Sequence, residues 1–212
     1  MATLQQLSSE VLKGKRKLVA ESTKALIDAG EAPLDIINKG LIAGMTEVGV
    51  LFKAGKMFVP EVLMSAKAMQ DGIDIVRPLL EAGDMKSNGK VLMATVQGDL
   101  HDIGKGLVII MLESNGFTVI DAGKDVSPEQ IVSLIREHSP DIVGMSAMLT
   151  TTMLAMKDTI ELLKEEGLRD KVKVIVGGAP LSNDFANEIT ADGYSPDAIS
   201  AVALCKRLLG VA

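Results

Sequence analysis

Residues with useful chemistry are concentrated in segment 98–104, which reads Gly-Asp-Leu-His-Asp-Ile-Gly. The apolar run 91–96 before it is rich in β-forming residues and predicts a buried strand. The run 107–112 after it is apolar all round, as in a helix buried in a core. Asp99 and His101 are therefore expected on a strand-to-helix loop at the carboxyl edge of a sheet, where open α/β folds bind ligands.

His101 is one of only two histidines in the chain. A zinc site needs four donors, commonly His and Cys, but His138 and Cys205 lie on predicted helices far along the chain. A site with two histidines and one carboxylate fails for the same reason. A lone histidine suits a metal whose other positions are already filled, as in a tetrapyrrole, and Asp99 could bind its second ring nitrogen. The alternative is a surface histidine on a loop, and this segment alone leaves both open.

Two further segments follow predicted strands. Segment 146–152 carries four hydroxyls, which is more than the cap of the next helix requires. Segment 176–180 contains paired glycines, which either bring the backbone close to a ligand or make a turn.

The composition sets limits on function. Of the 212 residues 47% are apolar, which suffices for a real core, and only 2% are aromatic. A net charge of −6 with few aromatic rings argues against nucleic acid as a partner. No apolar run is long enough to span a bilayer, and the N-terminus lacks the apolar core of a secretory signal. With one cysteine and no internal disulfide, these features predict a cytoplasmic protein without a membrane partner.

The pattern of apolar residues divides the chain into residues 1–82, a polar linker at 83–89, and residues 90–212. The first part is helical, and one helix face that ends at Gly30 is expected to carry Val11, Leu18, Val19, Ser22, Ala25, Leu26 and Ala29; whether residues 4–12 form a separate helix is open. The last part alternates strands with helices, which predicts a flavodoxin-like or Rossmann-like doubly wound parallel sheet behind an N-terminal helical bundle. Strands are predicted at 90–97, 117–122, 141–147, 172–177 and, weakly, near Tyr194; helices are predicted at 104–115, 128–138, 152–166, 182–191 and 197–209.

The three chemical segments, taken in order, read Asp99-x-His101-x-x-Gly104, Ser146-x-Met148 and Gly177-Gly178. This pattern resembles the cobalamin-binding signature of methionine synthase and related methyl carriers. Residues 44–63 resemble the helical cap of the same family, so the resemblance covers nearly the whole chain. It is closest to the small corrinoid proteins of methylotrophic methyltransferase systems. One departure is Met148, which replaces a leucine of similar volume and should be tolerated.

The resemblance implies a cobalamin or related corrinoid with cobalt, bound with its benzimidazole tail in a slot of the sheet domain. His101 would be the lower axial ligand of the cobalt, Asp99 would hold His101, and Thr152 would hold Asp99. Ser146 and Thr150 would line the slot. The full predicted cofactor site consists of Phe58 on the helical cap and, in the sheet domain, Gly98, Asp99, His101, Asp102, Ile103, Gly104, Ser146, Met148, Leu149, Thr150, Thr152, Gly177, Gly178, Ala179 and Tyr194.

The resemblance also implies a non-catalytic methyl carrier. It would take a methyl group from a substrate-specific methyltransferase and pass it to a second methyltransferase acting on an acceptor such as tetrahydrofolate or coenzyme M. A reductive activation protein would be a third partner, and the linker would act as a hinge for the cap. The rival interpretations are a cobalamin-binding sensor, a mutase subunit, a haem protein and a cofactor-free interaction domain. No basic recognition helix or substrate-binding barrel supports the first two.

Overall fold

A computed structural model describes residues 2–80 and 87–211 of the chain. The chain divides into two compact units, residues 1–86 and 87–212. Residues 83–86 of the predicted linker lie outside the described residues. In the two described ranges, every helix is too short or too polar to cross a bilayer.

The N-terminal unit is entirely helical where it is described. Its main helices bury a continuous apolar face that includes Leu7, Leu41, Met45 and Val62. The helices are α1 (Leu4–Leu12), α2 (Arg16–Asp28), α3 (Pro33–Asp35), a π-helical stretch (Ile36–Ile42), α4 (Ala43–Lys53), α5 (Val59–Val76) and a short 3-10 turn (Arg77–Leu79).

The expected shared face is confirmed for Val19, Ser22 and Leu26, which are buried on α2, and is wrong for Val11, because α1 and α2 are separate helices. The chain turns at Gly14, whose φ of +61° favours glycine. A Cβ atom on Gly14 would lie 2.9 Å from the Cβ of Met64 on α5, so the turn packs closely on that helix. Val11 is buried on α1, whereas Leu18, Ala25 and Ala29 of the predicted face are exposed.

The C-terminal unit alternates strands and helices. All five strands are parallel, in the order β2-β1-β3-β4-β5, which is the flavodoxin-like order. The predicted fold class is confirmed. The elements are β1 (Lys90–Val96), α6 (Ile103–Ser114), β2 (Thr118–Val126), α7 (Pro128–His138), β3 (Ile142–Ser146), α8 (Leu154–Glu165), β4 (Lys173–Gly177), α9 (Asn183–Glu188), β5 (Gly193–Tyr194) and α10 (Ala198–Leu209).

Local sequence explains where these elements begin. The Ser127 hydroxyl accepts a hydrogen bond from the Gln130 N–H (3.3 Å), and the Gln130 side chain accepts one from the Ser127 N–H (2.9 Å). This capping box, with Pro128 at the first helical position, starts α7 where the sequence predicts it. Before β1, the Ser87 hydroxyl accepts a hydrogen bond from the Thr118 N–H (3.1 Å), so the described end of the predicted linker is attached to the sheet.

Alternation along the strands separates two faces of the sheet. Ala94, Met145 and Val176 belong to a buried cluster with Ile131 of α7 and Met156 of α8. The residues that alternate with these along each strand point to the opposite face of the sheet. At the carboxyl ends of β1, β3 and β4 these are Thr95, Ser146 and Gly177, which are neighbours in the ladder.

Candidate functional site

The order of the strands reverses between β1 and β3, and in doubly wound sheets this is where a ligand crevice opens. The loop after β1 carries Asp99 and His101, and the loop after β3 carries Met148 and Thr152. Hydrogen bonds join the two loops directly across this switch point. Residues 49 or more positions apart in the sequence therefore form one site.

Asp99 is completely buried at the centre of the site. Its Oδ1 atom accepts a hydrogen bond from the His101 N–H (3.0 Å) and bonds the His101 ring atom Nδ1 (2.8 Å). Its Oδ2 atom accepts hydrogen bonds from the Met148 N–H (2.7 Å) and the Thr152 hydroxyl (2.7 Å). Four partners on two oxygens satisfy a carboxylate, not a carboxylic acid.

The electrostatics agree with this assignment. Burial by itself would raise the pKa of Asp99, because it disfavours the charged form. The hydrogen bonds from Met148, His101 and Thr152 outweigh burial and hold the pKa of Asp99 well below its ordinary range. The carboxylate therefore stays charged and fixes its partners in place.

Within residues 2–80 and 87–211, the His101 ring is hydrogen-bonded at Nδ1 and has no partner at Nε2. Because Asp99 is an acceptor, Nδ1 carries the proton, and in the neutral ring the lone pair is therefore on Nε2. The side chain is 57% exposed, so the ring lies at the surface of the site. The Thr95 hydroxyl donates to the His101 carbonyl oxygen (3.3 Å) and ties the residue to the end of β1. An imidazole oriented in this way by a carboxylate is a typical metal ligand.

Two glycines at the end of β4 allow close backbone contacts, one with the residue after β3 and one with the residue after β5. Gly178 has a φ of +136°, and a Cβ atom there would collide with the carbonyl oxygen of Ala147. A Cβ on Gly177 would lie 3.0 Å from the Ser195 carbonyl oxygen. Beside them Ser146 is half-buried, so the carboxyl edge of the sheet presents only small side chains here.

The surface around His101 is unusually apolar. Ile103 is 82% exposed and Leu100 is 63% exposed, and Met148 and Leu149 on the neighbouring loop are also exposed. Large apolar side chains at a ligand crevice favour a ligand with a broad apolar surface.

Gly104 tests whether a bulky group fits above this loop. It lies in the first turn of α6, its φ is not in the left-handed region, and a Cβ atom there would meet nothing within 4 Å. Packing within the chain therefore does not explain why residue 104 is glycine, since glycine makes a helix less stable than alanine does. In the part of the chain that the structure describes, no three His, Cys, Asp or Glu side chains cluster around a metal position. A single histidine beside an open backbone therefore fits a metal held in a large planar ligand.

Comparisons with known proteins agree with this geometry. Models of the B12 binding domain match residues 3–77 and 89–203. Dimethylamine corrinoid protein 1 of Methanosarcina acetivorans is 46% identical over 210 residues, which cover 97% of each chain. The chain belongs to the corrinoid-protein family. Another relative, a corrinoid protein of Desulfitobacterium hafniense, is 42% identical over 213 residues, 99% of each chain.

Solved structures support the same assignment for this corrinoid protein. The methanol:cobalamin methyltransferase complex MtaBC from Methanosarcina barkeri has a matching chain with a TM-score of 0.85 at 32% identity, covering 97% of this chain and 79% of that one. A cobalamin-binding protein from Desulfitobacterium hafniense has a TM-score of 0.82 at 32% identity, covering 98% and 99%. The predicted family and its corrinoid cofactor are confirmed.

The structure gathers some predicted site residues and separates others. Asp99, His101, Met148 and Thr152 are directly linked by hydrogen bonds. Tyr194 packs against the buried cluster on the sheet face opposite to Ser146 and Gly177, so its side chain points away from the slot predicted there. Thr150, Ala179 and Asp102 are exposed near the same edge of the sheet, and Phe58 lies on the helical unit at the start of α5, where its role stays a prediction.

Sequence reasoning missed three residues that hold the loop. Thr95 is buried and bonds the His101 carbonyl oxygen. Lys105, which directly follows Gly104, is buried against Asp121. Asp125 accepts a hydrogen bond from the Gly98 N–H (2.7 Å). Lys105 could have been noticed as a lysine inside an otherwise apolar helix. Asp125 could not, because it lies beyond the predicted end of β2.

Proposed function

We propose that this corrinoid protein carries a methyl group between two methyltransferases. The donor-side partner would be a substrate-specific methyltransferase acting on a methylamine or methanol, as in the systems for which its relatives are named. The acceptor-side partner would be a second methyltransferase acting on a carrier such as tetrahydrofolate or coenzyme M. A reductive activation protein would restore the cofactor after oxidation, and all of these partners would meet in the cytoplasm.

The observation that carries this proposal is the Asp99–His101 pair with Nε2 free. When bound, the cobalt of the corrinoid accepts and releases the methyl group. His101 would hold the cobalt through Nε2. Asp99 keeps the proton on Nδ1 and fixes the ring plane, and Thr152 and the Met148 N–H fix Asp99.

Ser146, Gly177 and Gly178 are proposed to admit the nucleotide tail of the cofactor. Ser146 and Gly177 are neighbours on adjacent strands, on the sheet face away from the cluster that contains Met145 and Val176, and Gly178 directly follows β4. These residues add no bulky side chain to the edge, and the Ser146 hydroxyl can donate to a buried tail. Thr150, exposed on the next loop, is a second hydroxyl within the same edge.

Methyl transfer can be followed by the absorbance of the cofactor. Cobalamin-loaded, reduced protein is mixed with a dimethylamine methyltransferase and dimethylamine, and in parallel with a methanol:cobalamin methyltransferase and methanol. We expect one pair to methylate the cofactor, and a coenzyme M or tetrahydrofolate methyltransferase with its acceptor to remove the methyl group. Bound cofactor that accepts no methyl group from any donor pair and releases none would instead favour a sensor or a mutase subunit.

Gly104→Ala should separate folding from cofactor binding. In the corrinoid-free protein the substitution replaces a glycine of α6 by alanine, which favours the helix, and should raise the free energy of unfolding by about 0.5 to 1 kcal/mol. The added methyl group enters the space proposed for the macrocycle, so the dissociation constant for cobalamin should rise at least about tenfold. Gly106→Ala is the matched control, since its Cβ also meets nothing within 4 Å, two positions further along the same helix. Equal cobalamin affinity of the two variants would contradict the proposed placement.

A further inference from the structure

The end of β2 is irregular where it passes the His101 loop. Its pairing with β1 shifts twice, between the Met93–Asp121 and Ala94–Gly123 pairs and again before the Val96–Val126 pair. Each shift places one extra residue on β2. Gly123 has a φ of +88° and Asp125 a φ of +55°, which is strained for a residue with a side chain. Bulges of this kind occur next to functional sites, where they redirect side chains.

One contact from the bulged segment 121–126 fixes the start of α6. The Lys105 side chain is only 2% exposed. Its ammonium group donates to Asp121 Oδ1 and to the Gly123 carbonyl oxygen (2.7 Å). Asp121 Oδ1 also accepts a hydrogen bond from the Gly123 N–H (2.9 Å), so both partners of the lysine are held by the bulge itself. A buried cation with all its partners in one segment ties helix and strand together.

A second contact fixes the other side of the loop. Asp125 Oδ1 accepts a hydrogen bond from the Gly98 N–H (2.7 Å), and the Asp125 N–H donates to the Asp99 carbonyl oxygen (3.0 Å). These two bonds hold the residues immediately before His101. Lys105 fixes the helix turn that follows His101. The bulged segment therefore contacts the loop both before and after the histidine.

We propose that segment 121–126 sets the position of the cobalt ligand, with Asp125 and Lys105 as positioning residues for His101. This inference rests on the proposed role of His101 as the lower ligand. Neither side chain needs to touch the corrinoid. Asp125 keeps its strained φ while it makes two hydrogen bonds, one to Gly98 and one to Asp99.

The test compares substitutions of Asp125 in the full chain loaded with cobalamin. Asp125→Ala removes the acceptor, Asp125→Asn keeps an acceptor oxygen, and Asp125→Gly removes the acceptor while relieving the backbone strain. The readouts are the fraction of Co(II) that shows coupling to the histidine nitrogen at saturating protein, and the exchange rate of the Gly98 amide in the corrinoid-free protein. Lys124→Ala is a control in the same segment, since its one ion pair among the described residues is a 3.9 Å contact with Asp102 between half-exposed side chains.

We expect Asp125→Ala and Asp125→Gly to weaken histidine ligation about tenfold and to speed exchange of the Gly98 amide, as loss of an outer partner does in other metal sites. Asp125→Asn and Lys124→Ala should stay within about twofold of the wild type. Lys105→Met should also weaken ligation; if it fails to fold, the Asp125 series decides, because Asp125 is exposed.

Two outcomes separate this inference from the proposed function. If His101→Ala abolishes the nitrogen coupling but Asp125→Ala and Asp125→Gly behave as the wild type, segment 121–126 does not position the ligand and the inference is wrong. If His101→Ala itself keeps the coupling, the histidine is not the ligand and the proposed function loses its basis.

Discussion

Replacing His101 by alanine should remove the protein-derived ligand from cobalt while leaving the fold intact. The side chain is 57% exposed and its backbone N–H still donates to Asp99, so the free energy of unfolding should change by about 1 kcal/mol or less. Loss of the ligand itself should weaken cobalamin binding by about 10- to 100-fold or more, since loss of an outer partner alone costs that much.

The measurement is the electron paramagnetic resonance spectrum of the Co(II) protein made with ¹⁵N-labelled histidine. A bound protein imidazole then gives the splitting of ¹⁵N, whereas the cofactor's own base gives that of ¹⁴N. We expect the ¹⁵N splitting in the wild type and its loss in His101→Ala. His138→Ala is the matched control, since it changes the only other histidine of the chain, at the end of α7. A ¹⁵N splitting that survives His101→Ala would rule out this ligand.

Asp99→Asn should damage both stability and ligation. If the amide nitrogen faces the second loop, it opposes the Met148 N–H, which has no other acceptor there; Thr152 can turn to the Leu149 carbonyl oxygen at 3.0 Å, but the amide of Met148 cannot. If the amide nitrogen faces His101, Nδ1 must become an acceptor and the proton moves to Nε2, which then cannot bind cobalt. Either orientation breaks a buried charged network, and we expect a loss of about 3 kcal/mol in unfolding free energy.

The pH dependence of this loss has a definite sign. A carboxyl whose pKa is lower in the folded than in the unfolded protein adds stability above its unfolded pKa and loses it as the pH falls toward the folded value. The pKa of Asp99 is lowered, so its contribution should be complete at neutral pH and decline below about pH 4.

Urea unfolding of wild type and Asp99→Asn across this range should therefore give a stability difference that is constant near neutrality and shrinks in acid. The pH dependence of cobalt reduction should also differ between the two proteins, because only one has a charged partner on Nδ1. A stability difference that stays the same from neutral to strongly acid pH would show that the charge of Asp99 does not stabilise the fold.

Most of the sheet could be predicted because its strands are short apolar runs separated by polar turns. β1, β3 and β4 lie within one residue of their predicted ends at either side. β2 was predicted to end at 122 but continues to Val126, since its last residues are polar and bulged and carry no strand pattern. The separation of α1 from α2 was equally hard to predict, because apolar spacing continues across Gly14 and only tertiary contact with Met64 explains the turn.

The sequence predicted the residues at the centre of the site but not the residues that hold them in place. Asp99, His101 and Thr152 stand out by type and by their resemblance to a known signature, and the structure joins them. Tyr194 was included by its place in the sequence, but strand alternation turns it to the other face of the sheet. Lys105 and Asp125 act through a register shift between β1 and β2, and such a shift cannot be deduced from one sequence.

The groups that hold Asp99 and His101 come from Thr95, Asp125, Met148 and Thr152, all within the α/β unit. The ligand loop therefore depends only on contacts within its own unit. A ligand-bearing loop whose supports are all local can be joined to a different neighbouring module without being rebuilt. Exchange of the helical segment between relatives should therefore leave the colour of the bound cofactor unchanged.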